Sequence, residues 1–367
     1  MKRTFHPEVV VLGAGPVGIV AALEFSKHQR TTLIASQFPS GSETPTVEAV
    51  PAALLALLLE FGIHPRHLMV EELYRSRVVA WEQEGGVKIS GPTEAHVERP
   101  ALDLALFRAL VESGRVIFKV GDPSCVKAAI AAARNKEIRL IDATGRRAVS
   151  ARRKVHLIRP FAARTFLIAR SSSPADGSLR IAALPGGFVY RLGGANHLLL
   201  GIAGRKETIV GDCAVLEERI YQCQAGWILD RTPLLSEWVP GRISAASVQW
   251  TIEDAATTIG DAALARDTLS SQGLATGISE ALHAAASEST ADQHLLNLRK
   301  IEQRSSHLRS VASLIGRCRF REERAWQDYE EFLQHHAEWS KNWKALKRRD
   351  VRLSQSPAAV SPQVSPG

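Results

Sequence analysis

Little in this chain invites disulfide or metal chemistry. It holds four cysteines, Cys125, Cys213, Cys223 and Cys318, and no two of them form a C-x-x-C pair. Sparse, unpaired thiols of this kind read as reduced and structural, as in a cytoplasmic protein. No metal site is expected: the twelve histidines form no H-E-x-x-H pattern, and the adjacent His335-His336 would point in different directions on a helix. Long apolar runs are also missing. The most apolar stretch, Val50 to Phe61, is too short to span a bilayer and contains Pro51 and Glu60. Lys2-Arg3 precede only a short apolar run that ends in a glycine turn, which is not a secretory signal. There is no internal repeat. A soluble protein with no membrane partner is the expectation.

Negative charge is in the minority. The net charge is +8 and the isoelectric point about 9.5, with much of the excess in Lys344, Lys347, Arg348, Arg349 and Arg352. No nucleic-acid recognition motif accompanies these residues, so they read as a solvated basic tail, or as a surface for an acidic protein partner. With 367 residues, 45% of them hydrophobic, the chain can bury a large core in one or two closely packed domains.

The richest local signal is Gly13-Ala14-Gly15-Pro16-Val17-Gly18. Before it, Glu8 to Leu12 reads as a buried parallel strand; after it, Ile19 to Phe25 reads as a helix. Strand, G-x-G-x-x-G and helix together form a dinucleotide-binding turn. Gly13 permits the turn, Gly15 admits a pyrophosphate, and Gly18 lets the helix pack on the strand. Pro16 and Val17 then open the helix whose positive end would face the phosphates. One departure stands out. The second strand, Thr31 to Ala35, ends at Ser36, where such sites usually carry an acid for the ribose hydroxyls.

Residues 38–46 read as a loop, and Glu48 to Gly62 as a helix. Val87 to Val97 and Ile138 to Ala143 read as strands, with a helix at Leu102 to Ser113 between them. From about 155 to 252 short strands alternate with turn signals such as Pro185-Gly186-Gly187 and Gly193-Gly194. At Thr258 the chain returns to a glycine-rich strand end and a helix. Residues 291–349 read as helical, with Phe320, Trp326, Tyr329, Phe332, Trp339 and Trp343 mostly on one face, a core-packing stripe. The last residues, Ser354 to Gly367, read as disordered.

Three further segments accompany the glycine turn: Arg99-Pro100-Ala101-Leu102-Asp103, Leu140 to Arg146 with its Asp142-Ala143-Thr144-Gly145, and Gly260-Asp261 followed by Asp267 to Leu274. With them the chain resembles the FAD-dependent hydroxylases and halogenases of the p-hydroxybenzoate-hydroxylase type of fold. The four segments run in that family's order and cover residues 9 to about 285. The resemblance implies an α/β protein: a Rossmann-type FAD-binding domain, an inserted and mostly antiparallel β-sheet substrate domain, and a helical C-terminal region. The boundaries implied are 1–154 and 253–290 for the FAD-binding domain, 155–252 for the insert, 291–349 for the helical region and 350–367 for the tail.

The resemblance also implies roles. Arg99 would reach the FAD phosphates or ribose as a permanently charged, bidentate donor and partly offset Ser36, or else pair with Asp103 or Glu98. Gly145, next to Asp142, would let the backbone approach the adenosine half. Asp261 after Gly260 would accept from the ribityl hydroxyls, or cap a helix. Gln272, Gly273 and Leu274 would lie along the flavin at a helix N-terminus, where the dipole favours negative charge on the reduced ring.

Within that family Glu48-Ala49-Val50-Pro51 and the Asp267–Leu274 loop look closest to the tryptophan-halogenase branch. Two halogenase hallmarks are absent: no lysine stands near Leu73-Tyr74-Arg75-Ser76-Arg77, and the stretch Leu184 to Leu192 contains no tryptophan. What remains resembles the flavoprotein maturases that modify a tryptophan in a partner oxidase or dehydrogenase during quinone cofactor biogenesis. The implied function is an FAD-dependent monooxygenase acting on a protein tryptophan, with reduced flavin regenerated by NAD(P)H or a separate reductase. The alternatives are a hydroxylase or halogenase of a free aromatic molecule and a flavin-binding chaperone without turnover. Candidates facing the substrate are His156, Arg164, Tyr190, Arg191 and Trp250; the sequence singles out no catalytic residue.

Overall fold

Val9-Val10-Val11-Leu12 forms β1 (Val9–Leu12), a strand buried along its whole length. In the computed structural model it is the middle of a five-stranded parallel sheet. The sheet also contains β2 (Thr31–Ala35), β6 (Val116–Val120), β7 (Arg139–Asp142) and β16 (Thr257–Thr258), in the order β16-β7-β1-β2-β6. The structure describes residues 7–36, 46–70, 72–151, 153–156, 161–169, 178–229, 238–240, 244–246, 249–252, 256–265, 273–287, 306, 308–331, 333 and 334. A parallel sheet must be covered on both faces, which is why its central strand β1 is apolar throughout. Val9 and Val11 face one cluster, which includes α1 (Pro16–Phe25), α3 (Arg99–Ser113) and α7 (Gly273–Ala286). Val10 and Leu12 face the other, against α4 (Pro123–Arg134). Eight of the ten α1 residues are buried, so this helix is apolar on all sides and lies inside the molecule.

A second, nine-stranded sheet runs in the order β13-β9-β12-β11-β10-β4-β5-β3. Its strands are β3 (Val47–Pro51), β4 (Tyr74–Ala80), β5 (Val87–Glu98), β9 (Phe161–Ala169), β10 (Leu179–Leu184), β11 (Gly187–Gly193), β12 (His197–Gly204) and β13 (Val239–Pro240), with β14 (Ser244–Ala246) beside β9. Every pair is antiparallel except β4 and β10. A third, antiparallel sheet joins β8 (Arg153–His156), β15 (Gln249–Ile252) and β17 (Leu264–Ala265).

Two local readings are corrected. The helix expected from Glu48 to Gly62 begins later: residues Val47–Pro51 pair with β5, and the helix is α2 (Ala52–Glu60). Pro51 explains the change, because the residue before a proline is pushed into extended backbone. The region expected to hold only short strands also carries α5 (Lys206–Ile209) and α6 (Cys213–Gln222). Asp212 caps α6 by accepting from the Val215 N–H at 2.9 Å, and Leu216 and Ile220, four residues apart, bury its inner face. The strand expected at Val87 to Val97 pairs in the second sheet, which therefore draws on residues 47–98 as well as 161–246.

Residues 308–316 and 324–331 are helical and cover one face of the second sheet. Trp326 is fully buried there, edge-on to Trp81 and Phe161 at 5.4 and 5.3 Å between ring centres. Its indole N–H donates to the Leu184 carbonyl at 3.0 Å, and the Trp81 indole donates to Leu314 O at 2.7 Å. The aromatic stripe is thus core, as its spacing predicts, for Trp326 and Tyr329. Phe332, Trp339 and Trp343, like the tail from Ser354, lie outside the described residues. Among the described residues no helix is long and apolar enough to cross a membrane.

This anchoring has a measurable consequence. Trp326→Ala should cost about 3–5 kcal/mol of stability, read from urea unfolding, through the cavity it leaves and the carbonyl it orphans. A loss below about 1 kcal/mol would mean that the 324–331 helix does not brace the second sheet.

Candidate functional site

The carboxyl ends of β1, β2, β6, β7 and β16 open into one cavity of about 1130 Å³. In a doubly wound parallel sheet this is the edge where ligands bind, because the strands fan apart there and helix N-termini converge. Gly13, Gly15, Pro16 and Val17 line the cavity beneath α1. Gly13 has φ +98°, its N–H donates to Ile34 O at 2.8 Å, and a Cβ on it would lie 2.6 Å from the Ala143 carbonyl oxygen. Gly18 does not reach the cavity: its role is packing, since a Cβ there would sit 1.8 Å from Gly13 O. Gly15 differs from both. Its backbone is ordinary, and a Cβ would meet nothing within 4 Å. No neighbour requires glycine at this position. The space in front of it is the cavity itself, a cradle that a side chain would fill, beside first-turn N–H groups that have no partner within the helix.

At the β2 end Ser36 is exposed and lines the cavity, together with Gly121 and Asp122 from the turn between β6 and α4 and Pro123 and Lys127 from α4. The Asp122 carboxylate accepts from Ser124 N at 2.8 Å, and hydrogen bonds from Ser124 hold it below the usual carboxylate range. Gly121, Asp122, Pro123 and Lys127 were not expected at the site. Their signal was Gly121-Asp122-Pro123, a strand end followed by an N-cap and a first-turn proline, which places a second helix start beside the glycine turn.

Farther along, Arg99 lines the cavity between two carboxylates. Its Nε donates to Asp103 Oδ1 at 2.8 Å and its Nη1 to Glu48 Oε1 at 3.2 Å. Of the two readings open for Arg99, the pairing with Asp103 is present, and the guanidinium faces the cavity as well. Burial raises the pKa of Glu48 above the ordinary carboxylate value, against the pull of Arg99. Asp261 lines the same cavity and stands 3.8 Å from the Arg146 guanidinium; it follows Ile259, the helix-cap position, and so does not itself act as the N-cap. Gly273 and Leu274 bring in the start of α7, Gly145 the turn after β7, and Tyr190 the second sheet. The Tyr190 ring lies across Gly201, its partner on β12, where a Cβ would come within 2.0 Å of the ring. Burial pushes the Tyr190 phenol up to about 12, and the negative charge of Glu48 adds to this.

Several expected site residues do other work. Asp142 is fully buried, and its carboxylate accepts four bonds, from the N–H and hydroxyl of Thr144 and of Ser150, at 2.6–2.9 Å. It builds the turn that carries Gly145 and has no lone pair left for a ligand. Gly260, at φ +59°, packs on Val17 and donates its N–H to the buried Glu280 at 2.8 Å; sequence reasoning missed Glu280 because a mid-helix glutamate reads as solvated. Arg191, next to Tyr190 on the strand, points to the opposite face, where it is buried and donates to Ile228 O at 3.0 Å. Arg164 donates to Gly211 O at 2.8 Å and lies over the Phe166 ring. His156 and Trp250 sit on adjacent strands of the third sheet, described by backbone only, and Gln272 lies outside the described residues.

No family model matches the chain, and no curated protein matches it in sequence. Solved structures do. The fold is similar to QhpG, a peptidyl tryptophan dihydroxylase essential for tryptophylquinone cofactor biogenesis, at 17% identity and a TM-score of 0.66 over 89% of this chain and 79% of that one. It is similar to the myxobacterial chondrochloren halogenase CndH, an FAD-dependent halogenase variant, at 16% identity and 0.68 over 88% and 85%. It is also similar to the p-nitrophenol 4-monooxygenase PnpA from Pseudomonas putida, at 14% identity and 0.57 over 79% and 80%. The architecture of this chain is therefore that of the flavin-dependent halogenases and monooxygenases.

The contrast between the two cavity glycines is testable without any ligand. Gly13→Ala should destabilise the protein by about 2 kcal/mol or more, from its positive φ and the carbonyl behind it, whereas Gly15→Ala should leave the thermal midpoint unchanged. Equal losses for both would mean that Gly15 is held by packing and not by an opening.

Proposed function

We propose that the cavity holds FAD and that the chain is an FAD-dependent monooxygenase. The observation that carries this reading is the unfilled cradle at Gly15, continuous with Arg99, Asp261, Gly273 and Tyr190 in one cavity. FAD supplies the activation of oxygen, with one atom entering the substrate and the other leaving as water at the expense of two electrons from a reduced nicotinamide or a reductase. The residues have separable tasks. Gly13, Gly15, Pro16 and Val17 seat the pyrophosphate on the α1 N-terminus. Ser36 and Gly145 border the adenosine half, and Arg99 offers the permanent charge. Asp261 accepts from ribityl hydroxyls. Gly273 and Leu274 present the α7 N-terminus, whose dipole favours negative charge on the reduced ring. Tyr190, protonated far above neutral pH, offers an O–H at the wall formed by the second sheet and no negative charge to repel an electron-rich substrate.

The substrate reading is a tryptophan side chain in a partner protein, the precursor of an oxidase or dehydrogenase with a tryptophan-derived quinone. It is supported by the Glu48-x-x-Pro51 element, by the absence of a lysine near Tyr74 and of tryptophan between Leu184 and Leu192, and by the fold shared with a peptidyl tryptophan dihydroxylase. Basic surface charge would steer an acidic precursor.

The purified protein should show a flavin spectrum and release FAD on denaturation. Gly15→Asp should fold as the wild type does yet retain no flavin, because a carboxylate would occupy the pyrophosphate position. Incubated with oxygen and reductant, the enzyme should add oxygen atoms to a tryptophan in a precursor polypeptide, read by mass spectrometry. Turnover of free tryptophan, or chlorotryptophan on adding chloride, would replace the protein substrate by a small aromatic one. Stable complex formation without oxygen-dependent NAD(P)H consumption would make the protein a chaperone.

A further inference from the structure

Arg99 joins Glu48 to Asp103, and the three share the cavity wall. Asp103 lies on the same helix one turn away, at 2.8 Å from Nε, so its contact is built into α3. Glu48 comes from β3, contacts Nη1 at the longer distance of 3.2 Å, and is only partly exposed. Among the described residues, the other charged or titratable groups that act on Glu48 are Asp261 and Tyr190. Asp103 and Asp261 are negative, and Tyr190 is neutral at physiological pH. Arg99 is therefore the cation that favours the ionised form of Glu48, against the pull of burial. An anionic ligand that draws on Arg99 takes that support away, and a half-buried carboxylate beside two others then favours its protonated form.

We infer that Glu48 binds a proton when the anionic cofactor enters, freeing Arg99 to serve the ligand, so that loading of the site is coupled to proton uptake. The inference rests on the FAD reading above and names Glu48 as the positioning residue behind Arg99. The direction of the Glu48 pKa agrees: burial already favours the neutral acid before any ligand arrives. The sign of the linkage follows. Binding that raises a carboxyl pKa is strongest below the pKa of the free protein and weakens as pH climbs toward that of the complex.

The test is calorimetric titration of the flavin-free full-length protein with FAD, repeated in buffers of different ionisation enthalpy. The slope of observed heat against buffer enthalpy should correspond to about one proton taken up per FAD. The Kd should rise by up to about tenfold per pH unit between the carboxyl pKa of the free protein and that of the complex, and level off on either side. Glu48→Gln should remove the buffer dependence and flatten the pH profile. FAD binding to wild type with no buffer-dependent heat would overturn the inference while leaving the cofactor reading intact, as would uptake that persists in Glu48→Gln. Failure of FAD to bind at all would overturn both. Absence of buffer-dependent heat in the wild type overturns the inference even if the variant does not fold.

Discussion

A Cβ on Gly18 would lie 1.8 Å from the carbonyl oxygen of Gly13, and the rest of the site is arranged around that contact. With no side chain at Gly18, α1 can begin almost on top of the strand it follows. Its N-terminus is then aimed along the carboxyl edge of the parallel sheet and not past it. Because α1 is apolar on all sides, α3 and α7 can close over it, and each of them delivers its own first turn to the same cavity. The loop at Gly260 is pinned from behind by Glu280, a buried carboxylate whose partner is a backbone N–H. The cavity is thus framed by backbone and small residues, while the ionisable groups are added at its rim.

Most of the parallel unit could be read directly from the chain. β1, β2 and β7, the glycine turn and α3 all carry strong local signals, either apolar β-branched runs or proline and glycine at helix ends. What the chain did not reveal locally depends on partners distant in sequence or on bonds formed only in the fold. Val47–Pro51 becomes a strand through pairing with β5, more than forty residues away in sequence, and a run of leucines just downstream masks it locally. Asp142 and Arg191 looked chemically apt but spend their bonds internally, on Thr144 and Ser150 and on Ile228. A polar residue at a strand end signals either a ligand or a turn, and only the count of its hydrogen bonds separates the two.

Glu48 illustrates the converse. In the sequence it marks an element and has no partner. In the fold it connects the second sheet to α3 through Arg99, so the cavity lies where that sheet and α3 share an ion pair. Tyr190 enters from the same side, and its place depends on the absence of a side chain at Gly201. Position on the second sheet, more than residue type, separates Tyr190 from its neighbour Arg191.

The aromatic packing around Trp326 bears on how the chain is made. A ribosome delivers the polypeptide from its N-terminus, and units collapse as they emerge. The parallel unit needs α7, and the face of the second sheet that holds Trp81, Phe161 and Phe188 needs residues 308–331. Until that late segment is released, a nascent chain presents an uncovered aromatic surface next to the strand that carries Tyr190. Such a surface would attract holdase chaperones until residues 308–331 have been released to cover it.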